Sequence, residues 1–205
     1  MKINHKPSTE SVRLQILREI LTTGEESVLS VGHSNAIIAA GVTAFDDCAI
    51  VDINNTTSLV IGMDFIRGTG FDMFELGIMD YYDVGYYLII ANLSDVASMG
   101  AQPIGITTVV RYPKDMTDNQ FRDIFRGMKD ASDKYNVPII GGDTGGYQLT
   151  VVAATAFGIT DKGKYLLRSG VQQGDILCVT GNIGIPVTAL AYFKHAHNHG
   201  FTLTS

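Results

Sequence analysis

The chain is short of cysteine, of positive charge and of long apolar runs, and each shortage closes off a class of explanation. Only two cysteines, Cys48 and Cys178, occur in 205 residues, far apart and inside apolar stretches. That supports neither a disulfide framework nor a zinc site, and two buried thiols in a reducing cytoplasm are expected. No run approaches the ~20 apolar residues that span a bilayer, and MKINHKPSTESVRLQ lacks the apolar core of a signal peptide. A cytoplasmic protein without membrane contact is the expectation. Fifteen basic residues against 21 acidic ones give a net charge of −6, with no local basic patch. This disfavours nucleic acid as the main partner and suits cation binding. Also absent are a Walker A lysine motif, G-x-S-x-G and H-E-x-x-H. What is present, 45% hydrophobic and 18% charged residues, is enough to bury a real core.

Residues 82–103, YDVGYYLIIANLSDVASMGAQP, read as one long helix. At about 100° per residue, Val84, Leu88, Ala91 and Asp95 share a stripe, with Asn92 beside it. The remaining faces are apolar too, so the helix is expected to be buried between layers, with Gly100 as its stop. A carboxylate there must be paired or hold a metal. In chain order, residues 11–22 are an amphipathic helix and 25–43 a partly irregular connection. Two strands, 48–53 and 58–63, form a hairpin around Asn54-Asn55-Thr56-Thr57. Beyond the long helix come a strand at 104–111, a helix at 117–135 capped by Asp115 or Thr117, a short β-run at 137–140 and a strand at 149–160. The expected domains are residues 1–160, a linker over 161–174, and the start of a second domain over 175–205. That start consists of a strand at 175–180 and a helix at 186–195, as in a fragment or a truncated homologue.

The chemistry lies in scattered carboxylates. Asp46 and Asp47 open one strand, Asp64 closes its hairpin partner, Asp95 lies in the long helix, and Asp143 follows two glycines. Carboxylates at the ends of several elements are what a magnesium–polyphosphate site needs, because hard cations take oxygen ligands. Each alone has a bland alternative as an N-cap, a turn residue or a solvated strand end. The run Gly141-Gly142-Asp143-Thr144-Gly145-Gly146 offers backbone N–H groups beside a carboxylate, a phosphate cradle or a hairpin loop. Arg168 is a candidate phosphate clamp or an exposed hinge residue. His195 and His199 would share a helix face, but His197 points away and the run lies at a helix end, so zinc is disfavoured.

The segments FDDCAIV, MDF, ANLSDVASMGAQP, IIGGDTGG and LLRSGVQQGDILCVTGNIG resemble the amino-terminal half of the thiamine-monophosphate kinase family. That family lies within the PurM-like superfamily of AIR synthetase, selenophosphate synthetase and a hydrogenase-maturation protein. The likeness runs from about Ala44 to Ala191. It implies an α+β fold, a PurM-like N-terminal domain with a mixed or antiparallel sheet and two long helices, plus the start of a carboxy-terminal α+β domain. It further implies ATP held with several Mg²⁺ ions, and a homodimer formed through the strands. The hairpin at residues 48–63, with Ile50, Ile53, Leu59 and Ile61, would otherwise leave an apolar edge.

Residue by residue, the resemblance makes Asp47, Asp64, Asp95 and Asp143 magnesium ligands, with Asp46 a helper. Gly142, Asp143 and Arg168 become nucleotide contacts. The chain departs from the family pattern at Phe45, where the family has glycine, and at Gly62 and Met63, where it has hydroxyl residues. RGTGF has no counterpart of the family's substrate-side histidine. The reading is an ATP- and Mg²⁺-dependent phosphotransferase acting on a small phosphorylated substrate such as thiamine monophosphate. Its alternatives are AIR synthetase-like activation of another acceptor and a non-catalytic nucleotide-binding module.

Overall fold

A computed structural model describes residues 9–21, 28–31, 34–42, 44–66 and 68–196. The order of elements is α1 (Thr9–Leu21), β1 (Val28–Val31), β2 (Ser34–Ala40), β3 (Cys48–Asp52), β4 (Thr57–Ile66), a short α2 (Asp72–Glu75), α3 (Tyr81–Ser98), β5 (Gln102–Tyr112), α4 (Asp118–Tyr135), β6 (Ile139–Gly146), β7 (Val151–Asp161) and α5 (Ile185–Ala191). The seven strands form one sheet in the order β1-β2-β3-β4-β7-β5-β6. Pairing is antiparallel from β1 to β4 and parallel between β5 and β6. The fold is α+β, with a mixed sheet and two helices of 18 residues, α3 and α4. No helix among the described residues is long and apolar enough to cross a membrane.

The chain divides into two compact units that interleave in sequence. The first comprises Met1–Met63, Asn92–Gly105 and Thr155–Ser169, the second Asp64–Ala91, Ile106–Ala154 and Gly170–Ser205. In the first unit, the strand period of two buries Ile50, Val60 and Ala156 on one face. The hairpin turn is held by Asn54, whose Oδ1 accepts from the N–H groups of Thr56 and Thr57, both at 2.8 Å. Asp52 is buried on the same face as Ile50, and its charge is met twice. Ser58 Oγ donates to it at 2.6 Å and Lys162 Nζ lies 3.1 Å away. The end of α3 is closed by Gly100 in the left-handed region (φ 69°), where a Cβ would lie only 3.1 Å from Leu166 Cγ.

In the second unit, Gly85 on α3 and Gly127 on α4 let two helices touch backbone to backbone. A Cβ at Gly85 would lie 1.9 Å from Ile124 O, and one at Gly127 1.9 Å from Tyr82 O. Helix α4 begins in a capping box in which Gln120 N–H donates to Thr117 Oγ1 at 3.3 Å and Thr117 N–H to Gln120 Oε1 at 2.8 Å. Its Ile124, Met128 and Ala131 are fully buried.

Several expectations need correction. Residues 25–43 hold two paired strands, and β2 covers the outer side of β3, so the hairpin is no free edge. Helix α3 is not buried all round: Tyr87, Ser94, Ala97 and Ser98 are exposed. Its most buried polar residue is Asn92, with Asp95 only half-buried. GGDTGG lies within strand β6 instead of forming a loop. Residues 175–180 form no strand; Leu177 is 94% exposed, and with no strand among the described residues pairing its backbone, apolar content alone does not make one. Cys178 is consequently exposed, whereas Cys48 is buried.

Candidate nucleotide and metal site

In the first unit the acidic pair Asp46-Asp47 leads into β3, and Arg168 lies across it. The Arg168 backbone N–H donates to Asp46 Oδ1 at 2.8 Å. Its guanidinium meets Asp47 through a close Nη2 contact to Oδ1 and through Nε at 3.4 Å from Oδ2. That bond, with the charges of Asp47, Asp46 and Asp95, holds the Arg168 pKa above its usual value. Cys48 reports the same field from within the protein. Burial, reinforced by Asp95, Asp47 and Asp46, pushes its thiol up to about 12. Asp95 reaches this spot because Gly62, opposite Cys48 in the register, carries no side chain. A Cβ there would lie 2.7 Å from Cys48 Sγ and 3.6 Å from Asp95 Cβ. The first unit therefore brings together Asp46, Asp47, Asp95 and Arg168.

In the second unit the parallel register sets Gly142 beside Thr108 and Asp143 beside Val109. Gly142 is required by close approach, since a Cβ would fall 2.2 Å from Thr108 O. Asp143 is clasped by Arg111, whose Nη2 donates to Oδ2 at 2.5 Å and which holds the carboxyl below its usual range. Asp64, exposed on β4, accepts from the Phe65 N–H at 2.7 Å. Arg111 is the residue that sequence reasoning missed. Its only signal is a basic residue interrupting the apolar strand ITTVVRY. His197 and His199 lie outside the described residues.

The family description "AIR synthase related protein, N-terminal domain" matches residues 45–160. The chain belongs to the AIR synthase-related family. Thiamine-monophosphate kinase of Methanocaldococcus jannaschii is 34% identical over 161 residues, covering 78% of this chain and 48% of that protein. The crystal structure of thiamine-monophosphate kinase from Stenotrophomonas maltophilia K279a aligns with a TM-score of 0.63 at 25% identity, covering 90% of this chain and 52% of that one. AaThiL complexed with AMPPCP and TMP shares the fold at a TM-score of 0.62 and 20% identity, covering 85% of this chain and 49% of that one. The chain spans about half the length of the curated relatives it matches.

For this AIR synthase-related domain, the fit to magnesium and nucleotide turns on donor chemistry. Among the described residues, no group of three or more His, Cys, Asp or Glu side chains is gathered closely enough to hold a metal by itself. Magnesium seldom uses such a cage. It typically takes one or two carboxylates and completes its shell with water and substrate phosphate. Asp47 and Asp95 in the first unit, and Asp64 and Asp143 in the second, offer oxygen of that kind. The positive field of a cation would also relieve the carboxylate crowding that Cys48 registers. The residues fit magnesium that arrives with its nucleotide.

Proposed function

We propose that this chain is the nucleotide-binding part of an ATP- and Mg²⁺-dependent phosphotransferase that acts on thiamine monophosphate, as the names of its relatives suggest. The observation that carries this reading is the convergence of Asp46, Asp47 and Asp95 at the start of β3, with Arg168 laid across the first two. Oxygen-only ligands beside a guanidinium suit a metal-bound polyphosphate better than any other common ligand. Bound magnesium supplies charge neutralisation of the phosphates. In the first unit Asp47 and Asp95 are the side chains that would hold such an ion, with Arg168 contacting a phosphate oxygen, and in the second unit Asp64 and Asp143 are the carboxylates of the same kind. Gly142 keeps the β6 backbone bare beside Asp143. An acceptor that is already a phosphate is ionised at neutral pH, so no protein base is required and positioning dominates.

Gly62 and Met63 offer no side-chain oxygen, and Met63 is 72% exposed. They favour a second reading, in which ATP activates a different acceptor. Calorimetry with Mg·ATP should show binding that Asp95→Asn and Asp143→Asn each weaken by about tenfold or more, with Asp118→Asn unchanged. Equal affinities in all four proteins would overturn the site. Thiamine diphosphate formation, measured chromatographically on the same preparation, separates the readings: nucleotide binding without that product supports the second.

We further infer a homodimer. In the first unit, the sheet face opposite Ile50 and Val60 carries Leu59, Ile61, Met63, Phe157 and Ile159, half-buried or exposed. A second copy, presenting the same apolar face across a two-fold axis, is the occupant that this self-complementary surface suits.

A further inference from the structure

Arg111 carries an inference that rests on the nucleotide reading and deepens it. The residue lies near the end of β5, in register with Gly145 on β6. A Cβ at Gly145 would lie 3.5 Å from Arg111 Nη1, an ordinary contact distance, so the guanidinium lies alongside this part of β6. One end of the guanidinium donates to Asp143 Oδ2 at 2.5 Å. The other end, Nη1, is buried and has no hydrogen-bond partner among the described residues. Asp143 is otherwise open to solvent: its side chain is 67% exposed, against 33% for Arg111.

These facts do not describe an ordinary surface pair. An exposed ion pair leaves its spare donors in water, whereas this one buries an N–H that no described residue accepts. The closed pose is thus held by Asp143 and opposed by the orphaned donor. A divalent cation approaching Asp143 needs the same carboxylate oxygens, and its charge repels the guanidinium. Release would return the orphaned N–H to water or to an anionic oxygen, which offsets part of the loss of the pair.

We propose that Arg111 is a built-in counter-cation for Asp143. It neutralises the carboxylate in the metal-free chain, must leave before a divalent ion binds there, and so sets the divalent concentration at which that carboxylate is filled. It acts through Asp143 and is a positioning residue. Arg168 on Asp47 has the same chemistry in the first unit, but there a second carboxylate, Asp46, shares the arginine.

The test is a titration of the full chain with Mn²⁺ alone, followed by the electron paramagnetic resonance signal of the free ion. Arg111→Met should bind Mn²⁺ about fivefold more tightly than wild type. Arg111→Lys should fall between the two, and Arg126→Met, an exposed helix arginine, should match wild type. Asp143→Asn should weaken binding. Damage to the fold would loosen binding, so tightening is a readout that a merely structural role does not produce. Arg111→Gln repeats the experiment should the methionine variant fail to fold. If Asp143→Asn weakens Mn²⁺ binding while neither Arg111→Met nor Arg111→Gln tightens it, the counter-cation role is overturned and the nucleotide reading stands. If Asp143→Asn changes nothing, Asp143 does not take the ion and the counter-cation role is overturned, while the nucleotide reading is decided by the Mg·ATP calorimetry.

Discussion

Cys48 and Cys178 have become chemically different residues. With a pKa near 12, Cys48 holds only about one thiolate in 10,000 at pH 8, and the thiol is buried besides. Mass-resolved alkylation at pH 8 should therefore modify Cys178 at least about tenfold faster than Cys48, and equal rates would contradict the burial of Cys48 beside its carboxylates. The same shift makes stability depend on pH. The unfolded chain releases this proton near 9 and the folded chain only near 12. The contribution is therefore complete below pH 9 and lost as the pH rises from 9 towards 12. The urea midpoint should fall across the lower part of that window, and it should fall less steeply in Cys48→Ala. At this scale the sequence was half legible. Asp46, Asp47, Asp95 and Arg168 stood out as residue types, but nothing local revealed that Arg168 lies on Asp46 and Asp47. Asp52 passed unnoticed because its partner Lys162 is distant in sequence, and Arg111 because its partner is on another strand.

Among the elements, the crossing of α3 and α4 is the least forgiving. Gly85→Ala would drive a methyl group into the Ile124 carbonyl, and neither backbone can yield without moving a helix. A loss of about 3 kcal/mol is expected in chemical denaturation. Gly146→Ala, with no described atom within 4 Å, should change little. Both helices could be read from their periodicity and from the Thr117 cap, since those signals lie within one element. The two glycines at their contact could not, because a glycine in a helix advertises weakness until its neighbour is known. Strands divided in the same way. The hairpin of β3 and β4 announced itself through its asparagine turn, while residues 175–180 had a strand's composition and no partner strand among the described residues. The glycines of β6 read as a loop because only its parallel pairing with β5 gives them extended structure.

At the scale of the whole molecule, the open apolar face of the first unit predicts a light-scattering mass near 44 kDa, twice the 22.2 kDa chain. Met63→Lys and Ile159→Lys, both exposed, should shift the mass to the single chain without unfolding it. A wild-type mass of one chain at tens of micromolar would remove the dimer. The α+β class came from the family resemblance, and the strand order was not legible, because it depends on pairings between distant parts of the chain. One of those pairings governs how the protein is made. Strand β4 ends at Ile66, and its neighbour β7 begins only at Val151. At a synthesis rate of ~5–20 residues per second, the ribosome takes about 4–17 s to reach the start of the missing strand. During that interval the growing chain presents a finished hairpin with one unpaired edge, and that edge is where a holding chaperone would act or where polysomal aggregation would begin.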